Sequence, residues 1–168
     1  MLKSLIRNGV LTGLILLAGC AKDIQVQYAA EYQSLTPPPP AIEVYVVGVD
    51  DANLTKFQQM SVDEFFQPGT PSALRKYADD NNVGRSLTFS VDHPIAKVIA
   101  KDDPIWQTWK TCTHLVIVQN YPHEVTGNPI AQRDARYLEL PLDSGRWNGQ
   151  TLVIGIGSNG PRCESGIH

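Results

Sequence analysis

A mostly-β sandwich with short helical insertions is the fold class this sequence predicts, on three observations. Roughly five or six short segments are rich in β-branched and aromatic residues, the signature of strands. Turn-forming residues separate them. Helical patterns occur only as insertions, without the regular alternation that builds a parallel βαβ sheet. A mixed α+β sheet is the alternative, and no internal repeat is visible.

The first strand of the globular part is Ile42-Glu43-Val44-Tyr45-Val46-Val47-Gly48-Val49, bounded by Pro40 and Asp50-Asp51. It becomes apolar on both sides towards its end, which predicts a central strand. A helical insertion follows. Ser61-Val62-Asp63-Glu64 fits a capping box, with Met60 and Phe65 placed for a hydrophobic staple. Thr70-Pro71 reads as a second helix start, carrying Leu74 and Tyr77 inward and ending near Asn81-Asn82. From Arg85 the period becomes two, with Leu87, Phe89 and Val91 alternating with polar residues. Ile95–Ala100 is a further short strand. Asp103-Pro104 opens a short helix that places Ile105, Trp106 and Trp109 on one face. His114–Val118 is a core strand, and 120–135 is a polar loop with Tyr121-Pro122, Gly127 and Asn128-Pro129. Tyr137–Leu142 puts Leu138, Leu140 and Leu142 on one side. Leu152, Ile154 and Ile156 do the same in the last strand, after an Asn148-Gly149 turn.

Ahead of this domain the grammar changes. Lys3 and Arg7 precede an uncharged apolar run that closes on Leu16-Leu17-Ala18-Gly19-Cys20. A positive start, an apolar stretch and a small-residue cleavage site are the parts of a secretory signal. The run of about eleven residues is too short to span a bilayer core. The organisation read from this is a signal peptide at 1–19, Cys20 with a proline-rich tether at 20–41, and a single domain at 42–168. Pro37-Pro38-Pro39-Pro40 is a polyproline spacer, and 21–41 extended reach roughly 60 Å. Ile24, Val26 and Tyr28 alternate, which allows a short edge strand, but linker is the preferred reading.

Composition narrows the function. The whole chain has a formal net charge of −3, and loss of Lys3 and Arg7 with the signal makes the mature chain more acidic. Such a chain lacks the electrostatic footprint for nucleic acid. Of three cysteines, Cys20 goes to the lipobox described below, leaving Cys112 and Cys163 as an even pair in an oxidising compartment. Pairing them closes a loop of about fifty residues and stabilises by roughly 4 kcal/mol. The alternative is one buried free thiol and one cysteine in a frayed tail.

Candidate chemistry is thin. Gly155-Ile156-Gly157-Ser158-Asn159-Gly160 matches the G-x-G-x-x-G pattern, but Pro161 follows where a helix is needed, so a strand running into a turn is preferred. Cys112 and His114 share a strand face without an orienting third group. His93, His114, His123 and His168 lack metal-ligand spacing. Asp50-Asp51, Asp79-Asp80 and Asp102-Asp103 fall at element boundaries, where they cap and solvate, and no calcium-type ligand loop is present. No catalytic residue, metal or cofactor is therefore assigned. Trp106, Trp109 and Trp147 are either core or a contact patch for a protein partner or a carbohydrate, and the phenylalanine-rich stretch 54–66 is equally ambiguous.

Leu17-Ala18-Gly19-Cys20 resembles the lipobox of bacterial lipoproteins, and Ala21 after the Cys fits the sorting pattern for the outer membrane. The domain is similar to the outer-membrane lipoprotein of type VI secretion systems, the TssJ-type family. The likeness is carried by Leu17–Cys20, Ile42–Val49 leading into Leu54–Phe66, Leu87–Val91, His114–Tyr121 and Asp143–Trp147. It implies a transthyretin-like or immunoglobulin-like sandwich, lipidated on Cys20. That sandwich would be held at the periplasmic face of the outer membrane and grip an inner-membrane scaffold through its loops. The expected function is a non-enzymatic docking subunit, with a carbohydrate- or small-ligand-binding lipoprotein as the alternative.

Overall fold

A computed structural model describes residues 21–33, 41–90, 95–121 and 134–168. Cys20 and the signal, the proline run, Val91, His93, His123 and most of the loop 120–135 lie outside these residues.

Two four-stranded sheets face each other. One holds β1 (Asp23–Tyr28), β4 (Ala96–Ile99), β7 (Thr151–Ile156) and β8 (Arg162–Cys163) in the order β4-β1-β7-β8. The other holds β2 (Ile42–Val49), β3 (Gly84–Phe89), β5 (His114–Asn120) and β6 (Tyr137–Pro141) in the order β3-β2-β5-β6. The fold is the predicted β-sandwich. Ile42–Val49 is a central strand with the predicted bounds, antiparallel to β3 and β5, because its β-branched residues are buried on both faces.

The stretch read as a tether departs from expectation. Asp23–Tyr28 is an inner strand, antiparallel to β4 and parallel to β7 from Asp23↔Thr151 to Tyr28↔Ile156. Ile24, Val26 and Tyr28 are buried with Leu152, Ile154 and Ile156, their neighbours on the same face. Tyr28 crosses to the other sheet, its ring edge-on to Phe89 at 5.6 Å. The domain therefore includes residues 23–28, and Pro37–Pro40 fall inside it in sequence rather than before it. Thr151–Ile156 is not the last strand, since the short β8 pairs Ile154 with Cys163.

A helical layer covers the outer face of the second sheet. It contains α2 (Asp51–Gln59), α3 (Val62–Phe65) and α4 (Ala73–Asp80), while α1 (Ala30–Gln33) and α5 (Ile105–Thr108) are single turns elsewhere. Asp50 caps α2 by accepting from the Asn53 amide, and Ser61 caps α3 from the Glu64 amide at 3.3 Å. The third helix of the layer starts later than Thr70-Pro71 predicts, because Ser72 is the cap that accepts from Arg75 N. Phe57, Phe65 and Phe66 are buried under this layer, which settles the ambiguity of 54–66 in favour of packing. Tyr45 stacks edge-on with Phe65, donates its hydroxyl to Asp79 and lies beneath the Arg75 guanidinium, which pairs with Glu43 at 2.5 Å.

Candidate functional site

The end of the sandwich reached by the first residue of β1 is closed by the three tryptophans. Trp106 and Trp109 pack edge-on with centroids 5.1 Å apart, and Trp106 reaches Trp147 at 6.2 Å. Each indole N–H finds a backbone carbonyl at the border of a different strand. Trp106 donates to Ala100 beyond β4, Trp109 to Val83 before β3, and Trp147 to Pro141 at the end of β6, at 3.0, 2.8 and 2.8 Å. A buried indole is stable only with its N–H satisfied, and here that need ties both sheets together. Gly48 makes room for this in the middle of β2. A Cβ there would lie 2.3 Å from Trp109 Cδ1. Trp109 and Trp147 are each 2% exposed, so neither offers a stacking face to a sugar or a partner; their part in the expected contact patch is replaced by a core role. Trp106 is partly buried against them.

Lys22 joins the same end, and sequence reasoning gave it no role. Its ammonium donates to the carbonyls of Trp147 at 2.9 Å and Gly149 at 2.7 Å. Asp23 accepts from the Lys101 amide at 2.7 Å. The chain leaving β1 towards Cys20 is thus fixed as far as Lys22.

The opposite end is a polar lock. Gln119, fully buried, donates its amide to Gly157 O and accepts from Gly157 N, so one side chain from β5 satisfies the backbone just beyond β7. Tyr32 and Ser158 share a hydrogen bond beside it, and Arg162 pairs with Glu31 at 2.7 Å. Arg136 is gripped by Asp134 through Nε at 3.0 Å and Nη2 at 2.7 Å, and reaches Asp63 of α3 through Nη1 at 2.6 Å. The Asp134-Ala135-Arg136 spacing was the available signal for this pair. Gly160, with φ of +84°, brings its Cα so close to Ala135 O that a Cβ would sit 1.6 Å away. The G-x-G-x-x-G segment is a strand end and turn here, with no helix following it.

Cys112 and Cys163 are both free, correcting the expected disulfide. Cys112 precedes β5 in one sheet with Sγ 3.9 Å from Thr108 O, whereas Cys163 lies on β8 of the other sheet with Sγ 3.8 Å from Ser165 Oγ. His114 does not engage Cys112. Its Nδ1 is 2.9 Å from Thr113 Oγ1 and 3.5 Å from Asp51, and its Nε2 is 3.8 Å from Glu139. Burial first, and the charge of Asp50 second, push the Cys112 thiol up to about 11. The folded thiol holds its proton more tightly than the unfolded one. Its contribution to stability is therefore full below about pH 9 and lost as pH rises through about 11. At pH 8 the thiolate population is about 100-fold below that of an ordinary thiol. Iodoacetamide at pH 8 is accordingly expected to alkylate Cys112 about 100-fold more slowly in the folded protein than in urea. Equal rates in the two states, followed by peptide mass, would contradict the burial.

Among the described residues no group of three or more His, Cys, Asp and Glu side chains is arranged to hold a metal ion. No helix among them is long and apolar enough to cross a membrane.

Comparison with known proteins gives three solved chains of similar shape, among them two type VI secretion proteins. The TssM C-terminal domain, a type VI secretion protein from EAEC, is 13% identical with a TM-score of 0.46, covering 84% of this chain and 94% of that one. Serratia marcescens Lip, described as a membrane-bound component of the type VI secretion system, is 10% identical with a TM-score of 0.42, covering 88% and 97%. No protein-family model matches the chain, and no curated protein matches it. At these identities and scores the likeness carries no functional argument by itself.

Proposed function

We propose that the protein is a lipid-anchored, non-enzymatic docking subunit at the periplasmic face of the outer membrane, serving an envelope-spanning secretion complex of type VI kind. The carrying observation is the position of Leu17-Ala18-Gly19-Cys20 immediately before a strand built into the sandwich core. An acylated Cys20 holds by burying methylenes at roughly 0.8 kcal/mol each, and two or more chains give stable attachment. What it holds is a rigid sandwich whose tryptophans serve packing. The secretion-system assignment rests on the TssJ-type resemblance of the strand and insertion segments, and the partner it implies is the periplasmic part of an inner-membrane scaffold.

Cys20→Ser is expected to move the protein from the membrane fraction to the soluble periplasmic fraction, read by immunoblot after fractionation. Native-level sedimentation of the variant with membranes would remove the lipid from the account. Affinity capture from detergent extract is expected to recover an inner-membrane secretion component. Recovery of none would count against docking.

A further inference from the structure

We infer that the tryptophan-closed end of the sandwich rests directly on the phospholipid headgroups, so that the Gln119–Gly157 end points away from the membrane. This rests on acylation of Cys20, as proposed above. The chain is fixed by hydrogen bonds up to Lys22, whose ammonium is held by two carbonyls of that end. Only Ala21 separates Lys22 from Cys20. Two Cα–Cα steps span at most about 7.6 Å. From Ile95, whose carbonyl accepts from Tyr28 N, to Lys101, which bonds Asp23, the chain advances roughly 20 Å at strand spacing. A lead of about 7.6 Å cannot swing the far end of such a body onto the same surface.

The chemistry of the near end fits headgroups rather than hydrocarbon. Lys101 and Arg146 are exposed there beside Asp102 and Asp143. The exposed large apolar residues Ile95, at 58%, and Val98, at 54%, belong to the edge strand β4 and the segment leading into it. Ammonium and guanidinium groups can meet lipid phosphates while the carboxylates face amine headgroups. Binding strength comes from the acyl chains; the polar end sets the orientation.

Because all three tryptophans lie at this end, their native emission is a probe. The acylated full chain is reconstituted in vesicles of phosphatidylethanolamine and phosphatidylglycerol, with and without a lipid carrying a nitroxide on its headgroup. The nitroxide is expected to quench the emission. A flexible Gly/Ser insert of about twelve residues between Ala21 and Lys22, with a root-mean-square length of roughly 20 Å, is expected to abolish the quenching while the protein still floats with the vesicles. A second measurement places a fluorophore on Lys101→Cys or Ile95→Cys in a Cys112→Ser, Cys163→Ser background, with quenching expected only at position 101. Acylated protein with unquenched tryptophans, or equal quenching at 95 and 101, overturns the orientation and leaves the anchor standing. A mature mass without acyl chains overturns the anchor and the orientation together.

Discussion

Asp134→Ala is expected to cost about 3–5 kcal/mol of folding stability, because it strands a buried guanidinium. Arg136 is 4% exposed and Asp134 9%, and the carboxylate supplies two of the three charged bonds on Arg136. The remaining partner, Asp63, is mostly solvent-exposed, so its charge is screened and cannot substitute for the lost one. A whole domain is stable by only about 5–15 kcal/mol, which makes this one of the largest single-site losses available. Asp63→Ala is expected to cost about 1 kcal/mol or less. Urea unfolding checks both: the midpoint falls sharply for the first and slightly for the second, at unchanged slope. Equal shifts would mean that the pair is not the anchor of this end.

The second large effect is at the other end. Trp109→Ala removes an indole that is 2% exposed and one of the two donors to Val83 O, the Gly48 N–H remaining, for an expected loss of about 3–5 kcal/mol. Gly48→Ala alone is expected to cost about 1–3 kcal/mol, since the new methyl collides with the ring. Together the two should cost less than their sum, because the methyl then enters space the indole vacated. A double-mutant cycle by urea unfolding reads this coupling. Simple additivity would show that glycine at 48 serves the backbone and not the tryptophan.

Much of the sandwich was legible because local pattern and tertiary role agreed. Ile42–Val49 and His114–Asn120 are buried on both faces, and such strands announce themselves as unbroken apolar runs. Ser61 could be recognised as a cap because its partner is three residues away. Asp23–Tyr28 was harder to place. Its alternating glutamines look like linker, and the partners that make it an inner strand are contributed by β4 and β7, far along the chain. The cysteines misled for a related reason: an even number of thiols says nothing about proximity, and Cys163 lies on β8 whereas Cys112 precedes β5 of the other sheet. The spacing of Trp106 and Trp109 predicted a shared face, but only the fold brings Trp147 to them. Lys22 and Gln119 carried no local signal, since each acts on carbonyls that arrive from distant sequence.

The parallel pairing of β1 with β7 also sets a timetable. Lys22 meets Trp147 across 125 residues of chain, and Asp23 meets Thr151. Contacts this non-local form late, because loop closure must precede any reward from them. The first strand of the sandwich is consequently among the last to be locked, waiting until Thr151–Ile156 has been synthesised. Throughout that interval Lys22 lacks the carbonyls of Trp147 and Gly149 that hold it in the finished domain. Completion of sheet β4-β1-β7-β8 is thus the step that fixes the N-terminal strand, so the beginning of the domain is held in place by residues near its end.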